Sequence, residues 1–148
     1  MTQTAEQVLG NTELLTDEQV YRMLSLPTNC IALAAAILAE ADQAFCALVV
    51  DKDEVTLLLR QDVHQTYAAR LHMAGISGES YRLITFAAIL EPDLIGFMAH
   101  IAKALAEAGI PILAFAAYSR DHIFVPADEY TRALDTLRTM QDEIRQGS

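Results

Sequence analysis

The sequence predicts an α+β protein in which helices cover one face of a mostly antiparallel sheet. Three observations lead to this prediction: the order strand, helix, strand, strand, helix occurs twice, short polar turns join β-rich runs, and only 148 residues are available. Short connections join antiparallel strands, because parallel strands need longer crossover connections. Helices packed on one face of such a sheet make an α+β sandwich. The length therefore suits one domain, or two small ones that share a core.

The composition narrows the class of protein. Hydrophobic residues make up 53% of the chain, and 20 acidic against 10 basic residues give a formal net charge of −10. That hydrophobic share excludes an intrinsically disordered chain. The excess of acid argues against nucleic acid or a membrane surface as the partner, because phosphate binding needs clustered lysine and arginine. No apolar run reaches the ~20 residues that span a bilayer, and no signal peptide is visible. The sequence therefore predicts a cytoplasmic protein.

The first half is predicted to follow a polar leader. Residues 1–18 show no apolar periodicity, and we expect them to be a loose leader. Residues 19–27 favour a strand that ends at proline, although residues 16–19 also match a capping box, so a short helix is the alternative. Alanine-rich residues 30–41 favour a helix. Residues 45–50 and 55–59 are predicted to form a hairpin. An amphipathic helix is predicted from Asp62, and residues 75–78 are predicted to be a linker.

The second half is predicted to follow the same order. A strand over 81–90 leads to a turn, after which Asp93 is placed to cap a helix that ends at Gly109. The half then continues with two strands around a polar turn and a last helix: 110–118, 122–126, and a helix from Asp128.

The two halves therefore form an internal repeat of the order β-α-β-β-α. A Tyr-Arg pair opens each half, at Tyr21 and at Tyr81. Because a repeat at a fixed spacing defines the architecture, we expect two repeats, one over 19–78 and one over 79–148.

Two stretches of the second half resemble a known family. Residues 93–110 resemble the first loop and helix of an ACT domain, through the loop glycine Gly96 and a helix that ends in Ala-Gly. Residues 118–126 resemble the hairpin and strand of the aspartokinase-type ACT subgroup, through an Asp-His pair followed by Val-Pro. The resemblance extends over about 81–142 and is weaker over 19–74. It implies a ferredoxin-like fold of tandem ACT repeats.

The resemblance also implies that the halves exchange strands. A complete ACT repeat has a fourth strand after its second helix, and residues 128–148 contain no such pattern. In the aspartokinase-type arrangement the missing strand comes from the other half, so we expect residues 19–26 to supply it. Neither half is then expected to fold alone.

The implied function is non-enzymatic regulation by binding a small molecule, usually an amino acid, with no cofactor. The protein would act as a homodimer or through a protein partner that it regulates. Family ligands lie where loop 91–97 of one repeat meets a strand of a neighbouring repeat, and Gly96 would let backbone amides approach a carboxylate there. Asp121 matches the position that meets a cationic group in an arginine-sensing relative, although Arg120 beside it argues against a basic ligand. The expected ligand-binding residues are Asp93, Leu94, Ile95, Gly96, Phe97, Tyr118, Ser119, Asp121 and His122.

Each candidate also has a structural explanation. Asp93 caps a helix, Gly96 allows close packing, and Asp121 belongs to a solvated hairpin tip. Tyr118 covers an edge of the core, and His122 makes a structural hydrogen bond. The alternative function is accordingly a structural or protein-interaction module whose ligand site has decayed.

The sequence contains no catalytic or metal-binding signature. Motifs of nucleophilic hydrolases, dinucleotide and phosphate-binding loops and zinc sites are absent. No two histidines stand four residues apart, the spacing that brings two ligands to one helix face. A small enzyme on the same fold is therefore the third and weakest alternative.

Overall fold

The computed structural model describes residues 3–41 and 45–147. They form two compact units. Unit 1 combines the residues up to Glu18 with those from Arg82 onwards, and unit 2 spans Gln19–Tyr81. Within each unit, antiparallel strands pack against helices, which confirms the predicted α+β class. No described helix is long and apolar enough to cross a membrane.

The helices and strands are named here in chain order. They are α1 (Ala5–Asn11), β1 (Leu14–Thr16), β2 (Tyr21–Leu26), α2 (Ile31–Glu40), β3 (Ala47–Val50), β4 (Val55–Arg60), α3 (Gln61–Tyr67), β5 (Gly75–Ile76), β6 (Tyr81–Phe86), α4 (Phe97–Glu107), β7 (Leu113–Ala116), β8 (Asp121–Pro126) and α5 (Tyr130–Gln146). Single 3₁₀ turns, Thr28–Cys30 and Ala127–Glu129, precede α2 and α5.

Unit 2 is built around β2. This strand pairs with β4 along its whole length, from Tyr21 opposite Arg60 to Leu26 opposite Val55, and β4 pairs with β3. Alternate residues of a strand point to the same face, so one face of the sheet carries the apolar side chains that meet the helices. The core consists of buried aliphatic residues: Leu24, Leu26, Ala34, Ile37, Val55, Leu57, Leu59, Val63 and Leu71.

Three predictions about unit 2 are resolved by its structure. The strand predicted over 19–27 is confirmed as β2, and the alternative helix is wrong. The predicted linker 75–78 is wrong in part, because Gly75 and Ile76 form β5, which pairs with β2. The helix predicted from Asp62 forms but ends at Tyr67, before the end of its apolar stripe.

The predicted loose leader is wrong, because the N-terminal residues are part of unit 1. A capping box starts α1: Thr4 Oγ1 accepts from Gln7 N at 3.1 Å, and Gln7 Oε1 accepts from Thr4 N at 2.9 Å. Leu9 is fully buried in the core of unit 1. β1 then pairs antiparallel with β6. The strand that completes the second repeat is therefore β1, and the expectation that residues 19–26 supply it is wrong.

Buried polar groups hold α1 against α5. Gln141 donates from Nε2 to the carbonyl oxygens of Leu9, at 2.9 Å, and Thr12, at 2.7 Å.

A β-carbon at Gly10 would lie 2.8 Å from Cγ2 of Ile144. Glycine is therefore required there, because the two helices approach too closely for a side chain.

The core of unit 1 lies between its sheet and three helices. Aromatic residues anchor it, since the rings of Phe86 and Phe97 meet edge to face with centroids 5.6 Å apart. The other fully buried aliphatic residues come from α1, β6, α4, β8 and α5: Leu9, Ile84, Ile101, Leu105, Ile123, Val125 and Leu137.

The strand predicted over 81–90 is too long. β6 ends at Phe86, and ten residues, 87–96, form a loop before α4. The N-terminal segment also binds the start of this loop: Ala87 N donates to Glu13 O, and Ala88 N donates to Thr12 Oγ1, both at 2.9 Å. The start of the loop is thus fixed by residues that the sequence pattern had assigned to a leader.

Candidate functional site

Unit 1 has a cavity of about 440 Å³ between loop 87–96 and the turn that joins β7 to β8. Six of the nine predicted ligand-binding residues line it: Leu94, Gly96, Phe97, Tyr118, Ser119 and Asp121. The structure places Asp93, Ile95 and His122 outside this lining. Glu91, the first residue of the predicted ligand loop 91–97, lines the cavity, and so do Leu90, Met98 and Arg120, which are not among the predicted ligand-binding residues.

Hydrogen bonds join the two walls of the cavity, which are loop 87–96 and the β7–β8 turn. Leu90 N donates to Ser119 O at 2.8 Å, which joins the loop to the turn. The side chain of Arg120 adds a second link, because its Nε donates to Ala87 O in the loop at 3.0 Å. The turn itself is closed by Ala117 N, which donates to Arg120 O at 2.9 Å. The cavity therefore lies between two segments whose separation is fixed.

The helix α4 starts later than predicted. Its N-cap is Gly96, with φ 87° and ψ 8°, and no described side chain caps the helix. The prediction that Asp93 is the cap is wrong, because Asp93 lies in a turn closed by Leu94 N and Glu91 O, 3.0 Å apart. A positive φ explains the glycine at position 96, since residues with a β-carbon rarely adopt it.

Close packing does not explain Gly96. A β-carbon built there would meet nothing within 4 Å. The space beside the first turn of α4 is thus open, and backbone N–H groups at a helix start have no partner within the helix. An anionic group is favoured at such a position by these donors and by the helix dipole.

Arg120 and Asp121 bring opposite charges to the same cavity. The carboxylate of Asp121 accepts no hydrogen bond from any of residues 3–41 and 45–147, and Arg120 donates to them only through Nε. Burial raises the pKa of Asp121, and His122 beside it opposes the rise. Burial disfavours the charged form of a carboxylate that lacks a partner, so a cation in the cavity would be stabilised by Asp121.

His122 has a structural role. Its Nδ1 lies 2.8 Å from Oγ1 of Thr85, so the two side chains are hydrogen-bonded. Neighbouring residues of a strand point to opposite faces, which explains why Asp121 lines the cavity and His122 does not. Burial lowers the pKa of His122, the charge of Asp121 raises it, and that of Arg120 lowers it.

The loop and the turn that form the cavity carry exposed apolar side chains. Tyr118 is fully exposed, which makes wrong the alternative that it covers an edge of the core. Ile95 is 88% exposed and Ile89 is 66% exposed. Among the described residues, no other large hydrophobic side chain exceeds half exposure. We call Ile89, Ile95 and Tyr118 the apolar rim.

Sequence reasoning missed Leu90 and Met98 for two different reasons. Leu90 was assigned to a strand, whereas it lies in the loop and packs partly against the core. Met98 was recognised only as part of the apolar helical face, and its position one turn after Leu94 was the available signal. Neither the cavity nor the rest of the described chain holds a cluster of three residues suited to bind a metal ion.

Comparisons with known proteins agree with this fold. Residues 76–139 match the family model for the ACT domain. A protein of unknown function from Vibrio cholerae, described as a possible transport protein, is 23% identical with a TM-score of 0.73, over 93% of this chain and 96% of that one. No curated protein matches the chain.

Aspartokinase structures are also similar. The regulatory subunit of aspartate kinase from Thermus thermophilus, in its ligand-free form, is 15% identical with a TM-score of 0.67, over 87% of this chain and 97% of that one. A structure of aspartokinase α and β subunits is 13% identical with a TM-score of 0.68, over 88% and 98%. At these identities the likeness shows the fold alone, and it agrees with the predicted ferredoxin-like fold of tandem ACT repeats.

Proposed function

We propose that this protein is a cytoplasmic, non-enzymatic regulator that binds an amino acid, because residues 76–139 match the family model for the ACT domain. The ligand site is the cavity of unit 1, between loop 87–96 and the β7–β8 turn. The observation that carries the proposal is the convergence of Gly96, Arg120 and Asp121 on that cavity. An amino acid has both an anionic and a cationic group, and these residues offer a partner for each.

The chemistry of the cavity supports binding rather than catalysis. Its lining includes Ser119 and Tyr118, whose hydroxyl groups are potential nucleophiles, but no histidine or lysine that could act as their base and no cysteine. The similarity to the regulatory subunit of aspartate kinase supports the same choice. The protein is therefore proposed to transmit the presence of a ligand to a protein partner.

The apolar rim supports a homodimer. Ile89 and Ile95 of the loop and Tyr118 of the turn expose large apolar side chains, and exposed apolar surface of this kind is typical of interaction sites. A second copy that covers the rim closes the cavity over its ligand. Ligand binding then shifts the population toward the dimer, because the closed form binds the ligand more tightly.

A thermal-shift experiment with each of the twenty amino acids tests the proposal. At least one amino acid is expected to raise the melting temperature, because a ligand that binds only the folded state stabilises it. The variants Gly96→Val and Asp121→Ala are expected to abolish that rise, the first through the strained φ of 87° and the second through the lost carboxylate. Gly78→Val is the matched control, because a β-carbon at Gly78 meets nothing within 4 Å and its φ is not positive. A panel in which no amino acid changes the melting temperature would contradict the proposal.

The apolar rim also favours a second candidate function. A protein-interaction module with a decayed ligand site would use Ile89, Ile95 and Tyr118 to bind a constitutive partner. A pull-down with the purified protein distinguishes the two functions. A partner that binds equally with and without amino acids, and is lost on Ile95→Asp, would favour the interaction module.

A further inference from the structure

The cavity is lined by both apolar and charged residues, and this combination restricts the ligand. Leu90, Leu94 and Met98 are half-buried apolar residues that pack against the core of unit 1 and form one part of the lining. Arg120 and Asp121 form the charged part, together with the exposed Glu91. This inference rests on the proposed function and specifies the class of amino acid that the site takes.

The guanidinium of Arg120 is held in a fixed position. Its Nε is used by the carbonyl oxygen of Ala87. Its two terminal nitrogens, Nη1 and Nη2, donate to none of the residues that the structure describes. Two parallel N–H groups match the two oxygens of a carboxylate. Because the side chain is already anchored, little rotational entropy is lost when a carboxylate binds.

Asp121 completes a pair of opposite charges for a zwitterion. Its carboxylate has no hydrogen-bond donor among the described residues and lies beside Arg120 in the chain. No ion pair within 4.0 Å joins these two neighbours. The α-carboxylate of one ligand pairs with Arg120, and its α-ammonium pairs with Asp121. Neither of these two side chains is then available to pair with a charged side chain of the ligand.

We infer that the ligand is an amino acid with an uncharged aliphatic side chain, bound through its carboxylate by Arg120 and through its ammonium by Asp121. The side chain lies against Leu90, Leu94 and Met98. Glu91 is the remaining charge of the lining, and its exposure to water leaves it a weak partner for a basic side chain. An acidic side chain meets two carboxylates and is excluded.

Titration calorimetry with leucine, valine and alanine tests the side-chain class. Each additional buried methylene is expected to strengthen binding about fourfold, so leucine binds best and alanine weakest. Lysine, arginine, aspartate and glutamate are expected to bind at least about tenfold more weakly than leucine. A charged amino acid that binds more tightly than leucine overturns the inference and leaves the proposed function intact. If none of the twenty amino acids binds, the proposed function itself fails.

Two truncated ligands test the roles of the charged residues. Isoamylamine is leucine without its carboxylate, and 4-methylpentanoate is leucine without its ammonium. Arg120→Ala is expected to weaken leucine at least about tenfold while leaving isoamylamine unchanged. Asp121→Asn is expected to weaken leucine and isoamylamine but not 4-methylpentanoate. Arg138→Ala, an exposed arginine of α5 outside the cavity lining, is the matched control and is expected to change none of these affinities.

Folding is checked separately, because Arg120 also joins the turn to the loop. Arg120→Gln keeps a side-chain N–H donor for Ala87 O and removes the charge, so it is expected to fold and to bind leucine as weakly as Arg120→Ala does. Circular dichroism and the melting temperature without ligand verify the fold. If Arg120→Gln weakens leucine and isoamylamine equally, or weakens neither, the carboxylate is bound elsewhere, and the role inferred for Arg120 is wrong.

Discussion

Unit 1 and unit 2 both contain the order strand, helix, strand, strand, helix, but the connection from the first of these strands to its helix differs in length. Four residues, 27–30, join β2 to α2, whereas ten residues, 87–96, join β6 to α4. The longer loop forms one wall of the cavity in unit 1. The sheet and helices alone do not make a ligand site on this scaffold, because the loop has to extend beyond the sheet edge to enclose a volume.

The acidic residues beside the two hairpin turns, Asp51 in unit 2 and Asp121 in unit 1, differ in the hydrogen bonds that they accept. In unit 2, Asp51 Oδ1 accepts from the backbone N–H groups of Asp53 and Glu54, at 2.8 and 2.9 Å. In unit 1, the carboxylate of Asp121 accepts no such bond within the described chain. One acid stabilises its own turn, and the other keeps its hydrogen-bonding capacity for a ligand.

The units also differ in how they complete their sheets. Unit 2 takes β2, β3, β4 and β5 from one continuous segment. Unit 1 needs α1 and β1, which precede unit 2 in the chain. The stability of unit 1, and of the cavity within it, therefore depends on residues more than 70 positions away from the loop that they support.

Leu9→Ala is expected to have the largest effect of the changes considered. Leu9 is completely buried, and truncation of such a leucine costs about 3 kcal/mol through lost burial and the cavity left behind. Because α1 belongs to unit 1, amide hydrogen exchange is expected to accelerate in β6, β8 and α5 before it does so in β2 and β4. Urea unfolding combined with hydrogen exchange measures both quantities.

The matched control for Leu9→Ala is Ile95→Ala, a truncation at a residue that is 88% exposed. It is expected to change the free energy of unfolding by less than about 0.5 kcal/mol. If Leu9→Ala instead weakens protection equally in both units, the units do not unfold separately, and the contrast drawn between them is wrong.

Much of this fold was readable from the sequence, and its errors have physical causes. The β-rich runs of β2, β4 and β8 and the apolar stripes of α4 and α5 identify these elements directly. The N-terminal segment was missed because α1 has only seven residues and places a single large apolar side chain, Leu9, in the core. Its capping box, Thr4 with Gln7, was the local signal that could have revealed it.

Only part of the candidate site could be predicted from the sequence, because some of its contacts join positions that are far apart in the chain. Gly96, Asp121 and their neighbours were found through the family resemblance, and the structure places them around one cavity. The pattern of residues does not show that Arg120 reaches back to Ala87 or that His122 bonds to Thr85, because these contacts join positions more than 30 residues apart. Strand alternation alone would have separated His122 from Asp121.

The two Tyr-Arg pairs provide a second, smaller test. Arg82 lies 3.8 Å from the ring centroid of Tyr130 and donates from Nη2 to Asp17 O at 2.6 Å. Arg22 donates from Nη2 to Ser77 O at 2.7 Å, without a ring beneath it that the structure records. In both residues Nε is buried without a hydrogen-bond partner among the described residues. The two arginines thus occupy equivalent positions in β2 and β6, but Arg82 makes a cation–π contact in addition to its hydrogen bond.

We expect Arg82→Met to cost about 2 kcal/mol and Arg22→Met about 1 kcal/mol in free energy of unfolding. The first loses a hydrogen bond and a cation–π contact, and the second loses a hydrogen bond. Arg22→Met is also expected to raise the pKa of His64, which burial and then the charge of Arg22 lower. Urea unfolding and an NMR titration of His64 measure these effects. Equal costs for the two variants would show that the Tyr130 ring contributes nothing.

The smallest expected effects, and the most specific, concern the two turn acids. Burial raises the pKa of Asp121, so its ionised form is less favourable in the folded protein than in the unfolded chain. Its contribution to stability is complete below the unfolded pKa and is lost as pH rises through the folded pKa. Backbone hydrogen bonds from Asp53 and Glu54 lower the pKa of Asp51, so its contribution is present at neutral pH and is lost as pH falls through the folded pKa.

Asn substitutions are therefore expected to have opposite signs at pH 7. Asp121→Asn removes a desolvated charge and raises the urea midpoint slightly, whereas Asp51→Asn weakens the charge-assisted bonds of its turn and lowers the midpoint. The difference from the wild type is expected to disappear below the folded pKa of Asp51 for Asp51→Asn, and only below the unfolded pKa of Asp121 for Asp121→Asn. Urea unfolding at several pH values between neutral and acidic conditions checks the signs and their disappearance. Midpoints that move in the same direction at pH 7 would contradict the view that only unit 1 keeps its turn acid available for a ligand.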